Sequence, residues 1–123
     1  MNRSILLLTL VSSLILTGCK KNQLGGKSTI SGTVMHHSKV IANATVFIKF
    51  NAKDFPGTDT ALYDSKVRAD ADGKYTFKCY KGDYYLFGYG IDNSITPPRV
   101  IGGLPVHIRN NEKLTEDVAV TEG

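Results

Sequence analysis

Short segments in which apolar and polar residues alternate dominate the chain from about residue 28 onwards. Such segments begin at Ile30 to Val34 and recur at Ala44 to Phe50, and a period of two residues is typical of strands with one buried face. No long stretch has the 3.6-residue period of an amphipathic helix. The segments that we predict as strands are about 30–34, 44–50, 62–68, 74–80, 84–91, 105–109 and 115–121. Seven short strands at this spacing predict an all-β fold, a single antiparallel seven-stranded β-sandwich.

Turn-forming residues separate these strands. Asn51 to Thr60 reads as a long loop, and Asp70 to Gly73 reads as a turn with the Asp and Gly residues that such turns favour. Asp70 and Asp72 also have the spacing of the first ligands of a calcium loop, but an EF-hand needs Glu at the twelfth position, and that position holds Lys81. The sequence therefore predicts a turn here and no calcium site.

The one continuous apolar run lies at the N-terminus. Ile5 to Leu16 follows a short segment that carries Arg3 and no acidic residue, which is the layout of a secretory signal peptide. A membrane-spanning helix needs about 20 apolar residues, so this run is too short for a permanent anchor. We predict that residues 1–18 are a cleaved signal peptide.

The end of this run resembles a known processing site. Leu16-Thr17-Gly18-Cys19 is similar to the lipobox of bacterial lipoproteins, in which the cysteine receives a diacylglycerol and the peptide is cut before it. The resemblance implies lipidation of Cys19 and a lipid-anchored position in the bacterial cell envelope, at the outer membrane. Two or more acyl chains give stable anchoring. Residues 19–27 are then predicted to be the lipidated cysteine and a flexible tether, and residues 28–123 the folded domain.

Charge adds little to this picture. Without residues 1–18 the chain has 14 Lys and Arg against 11 acidic residues, a net charge of +3. Part of that charge is Lys20, Lys21 and Lys27, beside the lipid, where lysines fit acidic headgroups. A nucleic-acid partner is not expected, because it would require a larger basic cluster on the folded domain.

The second cysteine has no predicted partner. If Cys19 is a thioether, Cys79 is the one remaining cysteine of the chain. It alternates in phase with Tyr75 and Phe77, and unpaired cysteines are among the most buried residues. We predict a small core residue and no redox role.

Four segments, in this order, resemble carboxypeptidase regulatory-like domains, which are transthyretin-like sandwiches of exported bacterial proteins. They are Ile30–Val34, Ile41–Ile48, Asp70–Phe77 and Gly82–Leu86. The resemblance implies a transthyretin-like fold and the accessory, non-catalytic role that such domains usually have. Related hydroxyisourate hydrolases have a C-terminal Tyr-Arg-Gly-Ser signature, whereas this sequence ends in Val-Thr-Glu-Gly, so that activity is not expected.

Three histidines are the candidates for catalysis or metal binding. Adjacent residues on a strand point to opposite faces, so His36 and His37 are not expected to converge unless a turn intervenes. His107 should point outward, because Val106 and Ile108 occupy the inward positions. We therefore assign no catalytic residue, metal or cofactor. A small periplasmic hydrolase or metal-binding protein that uses His36, His37 and His107 stays open as the alternative.

Aromatic residues suggest a binding surface. The family resemblance places Tyr84 and Leu86 inward, which leaves Tyr85, Phe87 and Tyr89 on the opposite face. If exposed, these three rings would form a ledge for a glycan or an envelope protein. The alternative is that the loop after residue 50 or the segment 92–104 covers them. The leading hypothesis is a non-catalytic, lipid-anchored sandwich with a binding or structural surface.

Overall fold

The structure of the chain is a computed structural model that describes residues 20–123. The predicted signal peptide and Cys19 lie outside these residues. Within residues 20–123 no helix has the length and apolar character needed to cross a membrane. The strands form two five-stranded sheets, and the predicted all-β sandwich is confirmed.

The described residues contain ten strands and one 3-10 turn, Thr60–Leu62. The strands are β1 (Leu24–His36), β2 (Lys39–Val40), β3 (Thr45–Phe50), β4 (Ser65–Arg68), β5 (Lys74–Cys79), β6 (Gly82–Ile91), β7 (Arg99–Ile108), β8 (Lys113–Thr115), β9 (Val118–Ala119) and β10 (Thr121–Glu122). In the first sheet β1 pairs with β2 and β5 antiparallel. It pairs with β8 and β9 parallel, so the sandwich has ten strands among the described residues rather than the predicted seven, and it is not wholly antiparallel. The second sheet has the order β10-β7-β6-β3-β4, all antiparallel.

The C-terminal third differs most from the predicted strand boundaries. β7 begins at Arg99 rather than near residue 105, and the predicted strand 115–121 is divided among three short strands. β7 contains a glycine pair, and Gly102 has no room for a side chain. A Cβ at Gly102 would come within 2.1 Å of the Ala119 carbonyl oxygen. The chain between β9 and β10 crosses this glycine, and so passes from the first sheet to the second.

The N-terminal segment is part of the sandwich. The Asn22 amide donates to the Lys81 carbonyl at 2.8 Å, and the Tyr80 amide donates to the Gln23 carbonyl at 2.9 Å. β1 itself begins at Leu24 and pairs there with Cys79, before a register shift that ends at Ser28. The predicted flexible tether is therefore wrong for residues 22–27. Their composition is polar and includes glycine, so it does not predict a strand. The strand here is stabilised by backbone pairing rather than by an apolar face.

The core lies between the sheets and is made by the inward positions of the alternating segments. Its buried apolar side chains are Ile30, Val34, Ile41, Ala44, Val46, Ile48, Ala69, Tyr75, Phe77, Cys79, Tyr84, Leu86, Val100, Val106, Ile108, Val118 and Val120. Cys79 is fully buried and unpaired among the described residues, as predicted. Burial raises the pKa of its thiol, so the reactive thiolate is disfavoured.

The turn before β5 is also as predicted. The Asp70 carboxylate accepts hydrogen bonds from the amides of Asp72, at 2.8 Å, and Lys74, at 2.9 Å. Gly73 has a φ of 75°, in the left-handed region that glycine adopts without steric cost. The carboxylate thus closes a turn onto the backbone of its own segment.

Candidate functional site

The predicted aromatic ledge is largely buried. Tyr84 and Leu86 point into the core, and Tyr85, Phe87 and Tyr89 lie on the other face of β6, as expected. However, Tyr85 is only 9% exposed and Phe87 1%, while Tyr89 is 37% exposed. Three neighbouring accessible rings are therefore not available, and the prediction of an exposed ledge is wrong.

The long loop after β3 covers these rings. The Phe55 ring packs 5.7 Å from that of Tyr85 and 5.8 Å from that of Phe87, and the Tyr63 ring stacks on Phe87 at 5.5 Å. The Tyr63 hydroxyl donates to the Gly57 carbonyl at 2.9 Å, which ties the loop to itself. Burial raises the pKa of Tyr63 to about 12. The aromatic residues of β6 thus hold the loop as a second, smaller apolar cluster.

The three histidines do not form one group. His107 lies near the end of β7, where its side chain is exposed as predicted and its Nδ1 is 2.9 Å from Asp83 Oδ1. His36 is at the opposite end of the sandwich, beside the loop between β6 and β7. Arg99, which begins β7 after that loop, is eight positions before His107, or roughly 27 Å along an extended strand. The alternative site built from His36, His37 and His107 together is therefore wrong.

His36 and His37 converge, contrary to expectation. β1 ends at His36, and His37 begins the two-residue turn into β2 with a φ of 57°. Histidine is among the few non-glycine residues enriched in this left-handed region. Because the strand stops between the two residues, the strand rule of opposite faces does not hold, and the ring centroids lie 4.4 Å apart.

Asp92 orients the first of these rings. It follows the end of β6 and is 2% exposed, and its Oδ2 lies 2.7 Å from His36 Nδ1. Its other oxygen accepts from Lys39 Nζ at 2.8 Å and from the amide and hydroxyl of Ser94. Both oxygens of the buried carboxylate thus have partners, one at Oδ2 and three at Oδ1. Because Asp92 binds groups from β1, β2 and its own loop, it joins the two sheets at this end.

Glu122 completes the cluster from the second sheet. Its partner in β7 is Val100, and its Oε2 lies 3.5 Å from His36 Nε2. One ligand atom from each of His36, His37 and Glu122 lies within 4.8 Å of the other two. His36 is 4% exposed whereas Glu122 is 61% exposed, so one side of the cluster is buried and the other is open to solvent. We call these three residues the distal cluster.

Charges reinforce this geometry. The hydrogen bond to Asp92 raises the pKa of His36, against the opposing effect of burial. The pKa of Asp92 is held well below its usual range, first by Lys39 and then by Ser94 and His36. The pKa of Glu122 is lowered by its own backbone amide and, to a smaller degree, by His36. Both carboxylates are therefore ionised at neutral pH, where they attract a cation.

The alternating pattern itself contains a signal for this cluster. His36 continues the inward positions of Ile30 and Val34, and Glu122 continues those of Val118 and Val120. Each is a polar residue at the end of an otherwise apolar inward series. Such residues are expected at the rim of a core, where they can meet one another across the two sheets.

A second polar feature lies at the other end of the sandwich. A groove of about 520 Å³ is lined by the N-terminal segment, the β5–β6 turn and the end of β7. Its cationic residues are Lys21, Lys81 and Arg109, and Asp83 and His107 also line it. We call this region the basic end.

Two solved structures that resemble the chain are distant in sequence. No known protein family matches the chain, and no curated protein matches it. A DUF3823 family protein from Parabacteroides merdae superimposes with a TM-score of 0.45 at 12% identity, over 76% of this chain and 45% of that one. The chain therefore spans less than half the length of that protein. The 5-hydroxyisourate hydrolase of Klebsiella pneumoniae gives a TM-score of 0.43 at 15% identity, over 84% of this chain and 99% of the hydrolase. Neither likeness is close enough to transfer an activity.

Proposed function

We propose that the chain is a non-catalytic, lipid-anchored β-sandwich of the bacterial cell envelope that holds its basic end at the membrane and presents the opposite end to a partner. One observation supports this arrangement above the others. The backbone of Asn22 and Gln23 is hydrogen bonded to Lys81 and Tyr80, so the fold begins only three residues after the predicted lipidated Cys19.

The short connection limits how far the domain can move from the bilayer. Three extended residues span at most about 11 Å, so a lipid on Cys19 would keep the basic end close to the headgroups. Lys21, Lys81 and Arg109 line the groove there, and basic residues next to an anionic leaflet strengthen its attraction to the protein. The anchor and the charge therefore favour the same orientation.

This orientation leaves the distal cluster facing away from the membrane. β1 runs from Leu24, at the basic end, to His36, and its 13 residues span roughly 40 Å when extended. Because Tyr85 and Phe87 are covered, we infer that an envelope protein or a glycan contacts this far end instead. The exposed apolar residues at this end include Val40 and Ile91.

The alternative function, a small hydrolase or metal-binding protein that uses all three histidines, is less well supported. His107 pairs with Asp83 at the basic end, far from His36 and His37. A reaction that needs three convergent imidazoles has no such group among residues 20–123.

The anchor can be tested through the two cysteines. We expect wild-type protein expressed in a bacterium to lose residues 1–18, to gain the mass of acyl groups and to fractionate with membranes. Cys19→Ala should remain an uncleaved, unlipidated precursor by intact mass. Cys79→Ala is the matched control and should mature normally, because Cys79 is buried in the core. Normal maturation and membrane retention of Cys19→Ala would refute the proposal.

A further inference from the structure

We propose that the distal cluster, His36, His37 and Glu122, binds a divalent transition-metal ion, and that Zn²⁺ fits its donor set best. Two imidazole nitrogens and one carboxylate oxygen lie within 4.8 Å of one another. Imidazole is a good ligand for zinc, copper and nickel, and carboxylates also bind zinc. The proposal does not depend on the lipid anchor.

Asp92 fixes the orientation of His36. With Asp92 Oδ2 at 2.7 Å from Nδ1, that nitrogen is the donor, and the lone pair of the neutral ring is on Nε2. Nε2 is buried and has no hydrogen-bond partner, although buried polar atoms are normally paired. A carboxylate that holds the far nitrogen of a histidine is the usual outer partner of a zinc ligand. The ring is thus preoriented with an unused lone pair towards the cluster.

His36 Nε2 and Glu122 Oε2 lie at a distance that one metal ion can bridge. When His36 is neutral, both atoms are electron-pair donors and face each other at 3.5 Å, an unfavourable contact that a bound cation relieves. Ligands 2.0–2.1 Å from a tetrahedral zinc ion are about 3.3 Å apart. A shared proton would instead give an N–H···O distance of about 2.7–3.2 Å. The 3.5 Å spacing is thus close to that of two ligands on one zinc ion.

His37 supplies the third ligand. Its side chain and that of Glu122 are exposed, so small rotations can close the remaining distance while the core and the buried His36 stay fixed. The nearby charges also fit, because the carboxylates of Asp92 and Glu122 outnumber the single ammonium of Lys39. Three protein ligands leave a fourth position for water or for a group of a partner.

Bound metal would also connect the two sheets. His36 and His37 belong to the β1–β2 hairpin of the first sheet, whereas Glu122 belongs to β10 of the second. Zinc at the open end of the sandwich would therefore restrain the C-terminal strand and could recruit a partner through its free position.

The test is metal binding by the full chain, purified in detergent and stripped with a chelator. We expect one Zn²⁺ per chain in competition with a chromophoric chelator, and the visible absorption of four-coordinate Co²⁺ without a thiolate charge-transfer band. His37→Asn keeps a residue suited to a φ of 57°, and Glu122→Gln keeps the side-chain shape. Each should weaken Zn²⁺ binding by more than the 10–100-fold typical of losing an outer partner.

His107→Asn is the matched control. His107 also lies beside a carboxylate, that of Asp83, but it is not part of the distal cluster. It should bind Zn²⁺ as the wild type does. Failure of the wild type to retain Zn²⁺ would overturn the proposal, and so would equal affinity in His37→Asn, Glu122→Gln and His107→Asn, or a cobalt spectrum with a thiolate band.

Discussion

His36 Nδ1 and Asp92 Oδ2 lie 2.7 Å apart, between the end of the first strand and the loop that joins β6 to β7, and both residues are buried. This contact determines which ring nitrogen of His36 is directed towards the distal cluster. It also connects the two sheets at the end of the sandwich where Glu122 reaches the same ring. The contact therefore determines both the stability of this end and the chemistry of the distal cluster.

Asp92→Asn should weaken Zn²⁺ binding by about 10–100-fold without removing a ligand. An amide can present its NH₂ group to His36 Nδ1, which favours the tautomer with hydrogen on Nε2 and blocks the lone pair. Zinc competition titrations measure the change. The variant should also melt at a lower temperature, since Lys39 loses its buried carboxylate partner.

Ser94→Ala is the control for this prediction. It removes one hydrogen bond to Asp92 but leaves the carboxylate and its contact with His36. Its zinc affinity should stay close to that of the wild type. If Asp92→Asn binds zinc as tightly as Ser94→Ala does, Asp92 does not orient the ligand.

The sequence predicts the fold better than it predicts the site. Alternation identified the inward residues of most strands, such as Ile30, Val34 and Phe77, because one-sided burial imposes a period of two. It missed residues 22–27, where backbone hydrogen bonds rather than apolar side chains define the strand. It also predicted one strand over 115–121 where the structure has three short strands. The chain changes sheets at Gly102 through a close backbone approach, which leaves no periodic signal.

The site was missed for a related reason. His36 and His37 are adjacent, and the strand rule separates them, but the rule does not apply across the end of a strand where His37 has a positive φ. Glu122 is 86 positions from His36 along the chain, and only the crossing between sheets brings them together. The ledge prediction had the correct register for Tyr85 and Phe87, yet the register could not show that Phe55 covers them.

Phe55→Ala should uncover the aromatic cluster of β6. Phe55 is itself half exposed, so we expect a loss of only about 1 kcal/mol in unfolding free energy, with increased binding of a hydrophobic dye to the native protein. Ile91→Ala is the control, because Ile91 is exposed to a similar degree. It should change dye binding and unfolding free energy less than Phe55→Ala does. Equal dye binding by both variants would show that Phe55 does not shield the cluster.

The covered state of Tyr63 predicts a dependence of stability on alkaline pH. Burial raises its pKa from 10.0 to about 12, so the folded state keeps the phenol proton after the unfolded state has lost it. The resulting stabilisation is fully present below pH 10 and is lost as pH rises through about 12. NMR titration of the tyrosine Cζ signals should show Tyr63 ionising late, and Phe55→Ala should bring it closer to the ordinary value. A Tyr63 signal that titrates near 10 in wild type contradicts this prediction.

Cys79 should behave as an inert core thiol. It is fully buried, and burial raises its pKa, so both access and thiolate formation are disfavoured. In a Cys19→Ser background, where Cys79 is the sole cysteine, a thiol reagent should react slowly with native protein and quickly in denaturant. Thr58→Cys, on the exposed loop, should react quickly in both. Fast labelling of native Cys79 would show that the end of β5 opens readily.

The basic end should bind anionic lipid even without the acyl anchor. A chain that begins at Lys20 contains every described strand and the whole core, so it is suited to vesicle sedimentation with phosphatidylglycerol mixed into a neutral lipid. Charge reversal of both Lys81 and Arg109, which line the groove, should lower binding at least about fivefold, since each basic residue near such a surface contributes about 1 kcal/mol.

The matched control reverses Arg68 and Lys74, which are exposed towards the other end of the sheets. Salt should weaken wild-type binding through screening. If both pairs of substitutions reduce binding equally, net charge rather than the basic end attracts the membrane, and the orientation proposed for the anchored protein is wrong.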